Sequence, residues 1–290
     1  LASQLQAAAP DLAARLELVL VEPNAGLQVR QRRMLQASPL PVRWATFEEL
    51  AAAPVNGVLL AHEVLDALAV SRFVRHGDQW CEQRVALRSD RLVLVPGDPL
   101  DVEDRQRLEA LGVAGNAMER PEGWCSELHP GVAPWLHQAA AALQRGHLLV
   151  IDYALEAWRY YAPPRSTGTL LAYRQQVASP DLLQHPGHWD LTAHLCIDSL
   201  LSDARASDWE LIGQRRQGEA LLALGLAQRL HALQQDAPLE TALQRRESLL
   251  RLVDPAALGD FRWLAFRRGP GAPVLASTGG GTAPDREPTG

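Results

Sequence analysis

The stretch Leu59-Leu60-Ala61-His62-Glu63-Val64-Leu65-Asp66-Ala67-Leu68-Ala69-Val70 constrains this chain most. Turn signals at Pro54, Asn56 and Gly57 precede it, so Val58 to Ala61 reads as a short buried strand. Polarity then changes at once: His62, Glu63 and Asp66 arrive together, while Val64, Leu65 and Leu68 keep one apolar face. Open α/β sheets place their chemistry at the carboxyl ends of buried strands, where such a change of character belongs. Glu63 and Asp66 are three apart and, in a helical turn, share a face. The plainer alternative is that His62 caps the strand and the acids sit in a first helical turn whose dipole favours them. Both readings stand on these residues alone.

The same pattern recurs along the chain. Leu16 to Glu22 is an apolar strand closing on an acid, Ala25 to Leu35 a helix, Val42-Arg43-Trp44 a brief strand and Phe47 to Ala53 a short helix. Strand and helix alternating with short connections predict right-handed crossovers and a parallel sheet. Glu22 stands where such units place an acid for ribose hydroxyls, or else is a surface acid at a strand end. The Gly-rich loop that normally accompanies it is absent, since no strand precedes Leu1 and no Gly precedes Gly26. Ser71 to Pro99 reads as an antiparallel meander with turns at Gly77-Asp78 and Ser89-Asp90. Helices are expected over Asp101 to Leu111 and over Pro130 to Arg145, the latter ended by Gly146. His147 to Tyr153 is the strongest strand and again ends in an acid. Ala154 to Leu191 is loop-like, with aromatics that argue for order. His185, His188 and His194 follow no metal-ligand spacing and no Cys joins them, so no metal is expected. Asp190 is a candidate N-cap for a helix from Leu191 to Ala204. A strand at Trp209 to Ile212, leucine-striped helices over Gln217 to Leu233 and Leu239 to Val253, and a last strand at Phe261 to Phe266 complete the domain.

With 290 residues the chain can bury a sizeable core. Its net charge of -6 offers no general attraction to nucleic acid or anionic membrane. All 28 basic residues are Arg, which excludes lysine Schiff-base chemistry and a P-loop lysine. Cys81, Cys125 and Cys196 are far apart and fit a reducing compartment. No apolar run is long enough for a membrane span, and the first residues are no signal peptide, so the expected location is cytoplasmic. The chain starts on Leu and is read as cut at its front.

Ala61-His62-Glu63-Val64-Leu65-Asp66-Ala67-Leu68-Ala69-Val70 resembles the "NE-x-x-DA-x-PV" signature of the MidA-like family of class I S-adenosylmethionine-dependent methyltransferases. Further stretches resemble that family in the same order. They are Val21-Glu22-Pro23 with Gln31, Trp80-Cys81-Glu82-Gln83-Arg84-Val85, Ile151-Asp152-Tyr153, Gly168-Thr169-Leu170 with Tyr173-Arg174, and Pro186-Gly187-His188-Trp189-Asp190-Leu191-Thr192-Ala193-His194. The departures are His62 for the usual Asn, Ala69 for Pro and Ala154 for Gly, and the family's Gly-rich first loop would fall at or before Leu1-Ala2. The resemblance implies an α/β, Rossmann-like, mostly parallel sheet over residues 1–268, with a β insertion at about 71–99 and a loop and helical insertion at about 154–205. Residues 269–290 are expected to be a disordered tail. It implies S-adenosyl-L-methionine as cofactor, with Glu22, Thr46, Phe47 and His62 around it, and Glu63, Asp66 and Asp190 as catalytic residues. The implied partner is a protein methylated on arginine, a respiratory complex subunit being one candidate, and a homodimer is one possible assembly. The competing reading is a catalytically impaired remnant that acts as a protein-binding assembly factor.

Overall fold

A computed structural model describes residues 1–113, 120–175, 177–236 and 239–269. Helices α1 (Ala2–Ala8) and α2 (Pro10–Ala13) lead into strand β1 (Leu18–Leu20), then α3 (Ala25–Met34), β2 (Val42–Trp44), α4 (Phe47–Ala52) and β3 (Val55–His62). Strands β4 (Ser71–His76), β5 (Gln79–Arg88) and β6 (Arg91–Pro99) follow, then α5 (Val102–Ala110) and β7 (Cys125–Leu128). The chain continues through α6 (Val132–Ala142), β8 (Leu143–Asp152), β9 (Ala154–Leu155), α7 (Ala157–Tyr160), β10 (Leu171–Arg174), β11 (Val177–Ser179), β12 (Asp190–Thr192), β13 (Leu195–Cys196) and α8 (Ile197–Ala206). It ends with β14 (Glu210–Arg216), α9 (Gln217–Ala223), α10 (Leu226–Asp236), α11 (Leu239–Arg251) and β15 (Arg262–Arg268). Of the expected tail, all but Gly269 lies outside the described residues.

The principal sheet has the order β14-β15-β8-β3. Strand β3 runs parallel to β8, while β15 lies antiparallel between β8 and β14. Leu136 and Ala139 of α6 and Leu200 of α8 join Leu148, Val150, Leu264 and Phe266 of the sheet in one core. The meander forms a second sheet, β6-β5-β4-β7, over a core of Phe73, Trp80, Leu108, Trp124, Tyr160 and Tyr161.

The α/β fold holds, but the mostly parallel sheet does not: among the described residues, parallel pairing is confined to β1/β2, β3/β8 and β9/β13. The meander pairs through local hairpins, which are antiparallel by construction. Strand β15 arrives after three helices and enters in the opposite sense. Strand β3 is also less buried than its apolar run implies, with Val58 71% and Leu60 52% exposed. Parallel strands are usually covered on both faces, whereas β3 has β8 as its one ladder partner among the described residues.

The helix expected over 130–145 stops at Ala142, and Leu143 to Arg145 already belong to β8. Gly146 is therefore no helix cap. It lies opposite Gly57 in the β3/β8 register, with φ +147°, and a Cβ there would collide with the Gly57 carbonyl. The loop expected over 154–191 instead holds four short strands and a helical turn. The long helix over 217–233 is broken at Gly225, whose φ is +92°.

Thr46 closes α4 with a full capping box: its hydroxyl accepts from Glu49 N at 3.1 Å, and the Glu49 carboxylate accepts from Thr46 N at 2.8 Å. Thr46→Ala is expected to cost about 1 kcal/mol of stability. Denaturant unfolding reads this, and an unchanged midpoint would refute it.

Candidate active site

The parallel register His62↔Ile151 brings the carboxyl ends of β3 and β8 side by side. The backbone then leaves β3 sharply. Glu63 takes φ +50°, its N–H donates to Ile151 O at 3.0 Å, and Leu68 N donates to Leu65 O at 3.2 Å. This is a strained turn and not a helix, so Glu63 and Asp66 do not share a helical face and no helix dipole favours them. Left-handed φ on a non-glycine residue at a sheet's functional edge is a place where strain is commonly stored.

Asp152 holds this turn. Its Oδ2 accepts from Leu65 N and Asp66 N, both at 3.2 Å, and its Oδ1 accepts from Tyr153 N at 2.8 Å. Asp66 is also buried, and its Oδ1 has no hydrogen-bond partner among the described residues. Two carboxyls in one dry corner oppose each other's ionisation. Burial, then the nearby Glu63, pushes the Asp66 carboxyl up to about 6. Burial, then Asp66, pushes Asp152 up to about 7.

An aromatic wall stands beside the acids. The Tyr153 ring packs on Phe261 at a centroid distance of 4.0 Å and on His194 at 5.6 Å, and His62 stacks on Phe261 at 6.2 Å. Burial raises the Tyr153 phenol to about 12, with help from Glu63 and Tyr173. Burial lowers His194 to about 4, which keeps its ring neutral near pH 7. Two backbone bonds fasten the segment around His194 to the acids: Ala193 N donates to Asp66 O at 3.1 Å and Leu195 N to Tyr153 O at 2.8 Å.

A second buried polar centre supports this wall. Glu127, fully buried on β7, pairs with Arg72 Nε at 3.2 Å and accepts from Thr169 N at 2.9 Å, Leu170 N at 3.4 Å and the Tyr160 hydroxyl at 3.3 Å. The Thr169 hydroxyl in turn accepts from His194 N at 3.1 Å.

The structure brings His62, Glu63 and Asp66 together, with a His62 Nε2 to Glu63 Oε1 distance of 4.0 Å. Asp190 is exposed on β12 opposite Tyr173, in strand and not at a helix N-cap, and no described hydrogen bond or ion pair joins it to Glu63 or Asp66. The helix expected from Leu191 begins only at Ile197. Glu22 lies beyond β1, where its carboxylate accepts from Asn24 N at 2.8 Å and Gln31 Nε2 at 3.2 Å. Gln31 is oriented by Trp44, whose indole donates to its Oε1 at 2.8 Å. Thr46 serves its capping box, and the Phe47 ring packs edge-on against Trp135 at 5.7 Å. Sequence reasoning assigned no site role to Asp152, Tyr153, Phe261 or Glu127. An acid inside the short buried run Cys125 to Leu128 is an available signal for Glu127, because acids are almost never fully buried without a partner; Phe261 offers none.

Residues 2–214 match the model of a family described as "Putative S-adenosyl-L-methionine-dependent methyltransferase", and the chain belongs to that family. The family's cofactor is S-adenosyl-L-methionine. Two solved structures from Burkholderia thailandensis resemble the chain over most of its length. One, a COG1565 superfamily member bound to S-adenosyl-homocysteine, is 27% identical with a TM-score of 0.79, over 95% of this chain and 71% of that one. The other, a native structure of a protein of the same superfamily, is 27% identical with a TM-score of 0.77, over 89% of this chain and 68% of that one. No curated protein matches the chain.

Proposed function

We propose that this protein is a MidA-like, class I, Rossmann-type methyltransferase of the cytoplasm that methylates arginine on a protein substrate. The observation that carries the reading is the strained turn after β3. It sets Glu63, half exposed, beside two buried carboxyls and an aromatic wall. Acids and aromatic faces are the groups that hold a guanidinium.

The residues fit the cofactor in their chemistry. Glu22 offers a carboxylate for ribose hydroxyls, and the acidic, aromatic corner suits a sulfonium cation. When bound, S-adenosylmethionine supplies an electrophilic methyl group and departs as the neutral thioether. Glu63 aligns the acceptor nitrogen, so positioning and electrostatics lower the barrier. The nitrogen that gains the methyl sheds one proton, which Glu63 takes first. Asp66, whose carboxyl burial raises to about 6, exchanges the proton with Glu63, and the half-exposed Glu63 releases it to solvent. Asp190, exposed on β12, contacts the substrate protein.

The test is calorimetric titration with S-adenosylmethionine, followed by methyl transfer to an arginine-containing peptide. Glu63→Gln is expected to lower turnover about a hundredfold or more, with cofactor affinity within a few-fold. Full activity in Glu63→Gln sinks its role. Absent cofactor binding sinks the enzyme reading and leaves a protein-binding assembly factor. Glu22→Ala is expected to weaken cofactor binding about tenfold, the effect of one lost charged hydrogen-bonding group; unchanged affinity would refute the ribose role.

A further inference from the structure

Strand β12 has an open edge that leads into the acid corner. Among the described residues its one ladder partner is β10, with the register Leu171↔Thr192, Ala172↔Leu191 and Tyr173↔Asp190. In an extended chain paired on one side, successive residues turn their N–H and C=O groups to alternate sides. His194 N points to the β10 side, where it donates to Thr169 Oγ1 at 3.1 Å. Ala193 N and Leu195 N point the other way, to Asp66 O at 3.1 Å and Tyr153 O at 2.8 Å. The same alternation turns the N–H and C=O of Leu191 away from β10, onto the edge that continues to Asp66. Leu191 is itself 45% exposed.

The face beside this edge suits a basic segment. Tyr173 and Asp190 are ladder partners, so their side chains share one face, with Thr192 two residues on. That face belongs to the site, because Tyr173 and Glu63 both act on the Tyr153 phenol. Its charge is negative: Asp190 is exposed on the sheet, and Glu63 is half exposed in the turn after β3. Arg174, the cation of β10, alternates to the opposite face. An extended segment laid along β12 pairs with the Leu191 N–H and C=O, and every second side chain falls on the acidic face. A side chain opposite Thr192 stands next to the point where Ala193 joins Asp66. The side chain two positions away stands opposite Asp190, with Cβ atoms about 5 Å apart.

We infer that the open edge of β12 holds the substrate as an extended strand, its target arginine opposite Thr192 and a second basic residue two positions away opposite Asp190. The inference rests on the arginine methyltransferase reading. The probe is a short fluorescein-labelled peptide of alanine and serine, with a central arginine and a lysine two positions before and after it. Its binding to the full chain is read by anisotropy. Backbone N-methylation of the arginine and its two neighbours removes the ladder donors and is expected to weaken binding about tenfold. Leu191→Pro removes the donor from the protein's side. Proline is accepted on an edge whose N–H faces outward, so melting and S-adenosylmethionine affinity are expected to stay close to wild type while peptide binding falls about tenfold. Asp190→Lys is expected to invert the charge preference, so that a peptide with glutamates for the lysines binds more tightly than the original. A wild-type chain that binds no form of the peptide, or binds plain and N-methylated backbones alike, overturns the inference, as does full binding by Leu191→Pro. If S-adenosylmethionine fails to bind while these edge effects stand, the docking surface survives and the enzyme reading falls.

Discussion

Glu127→Ala is expected to remove about 3–5 kcal/mol of folding stability, because it breaks a buried ion pair from one side. The Arg72 guanidinium, only 10% exposed, would keep its bonds to Thr167 O at 2.8 Å and Cys125 Sγ at 3.0 Å but lose its counter-charge. The backbone N–H groups of Thr169 and Leu170 would lose their acceptor as well. Guanidinium unfolding measures this, and a loss below about 1 kcal/mol would show that the pair is not the support described. Gly168→Ala attacks the same joint from the other side. Gly168 takes φ +76°, and a Cβ there would enter the space of the Glu127 carboxylate. Each change alone is costly, yet Glu127→Ala removes the atoms that Gly168→Ala strikes. The double variant is therefore expected to be more stable than the sum of the singles, by about 1 kcal/mol or more. Strict additivity would separate the two residues. Methyl transfer should fall with Glu127→Ala in the surviving folded fraction too, because Thr169 holds the His194 backbone.

This joint shows where reading the sequence stops. The strand ends near Glu22, at His62 beside Glu63, and at Asp152 are legible because an apolar run that gives way to an acid is a local signal, and the β4–β6 meander because its turns are local as well. Residues 154–196 resist reading for the opposite reason. Strands β9, β10, β12 and β13 are two to four residues long and pair with partners far along the chain, so no periodicity has room to develop. The change from an apolar run to His62, Glu63 and Asp66, with Val64, Leu65 and Leu68 on one face, predicts a helical turn after the strand. The winning interaction is tertiary: Asp152 draws Leu65 N and Asp66 N to itself and forces Glu63 to positive φ. The end of α6 follows the same logic, since Ala139 to Leu143 is apolar enough to continue a helix, while the Gly146–Gly57 approach demands strand. The acids of the site were thus visible, but the clamp that arranges them depends on the β3/β8 register.

That clamp makes stability oppose function at Asp66. Both buried carboxyls have folded-state values above the ordinary 3.8, near 6 for Asp66 and near 7 for Asp152. The folded protein then binds more protons than the unfolded chain between these limits, and stability falls as pH rises. The contribution is complete below about pH 4 and is lost through the range in which the two groups ionise. Asp66→Asn keeps the shape, removes one charge, and relieves Asp152 of its neighbour. Raising the pH from about 5 to about 8 should therefore cost Asp66→Asn about 2 kcal/mol less than it costs the wild-type protein. Urea unfolding at both pH values tests this, and parallel pH dependences would mean that the carboxyls do not share one dry corner. The proposed proton relay adds a second arm: Asp66→Asn should be the more stable protein at pH 8 and the slower enzyme. A variant that gains stability without losing turnover would leave Asp66 as a tolerated buried acid and return the proton to Glu63 alone.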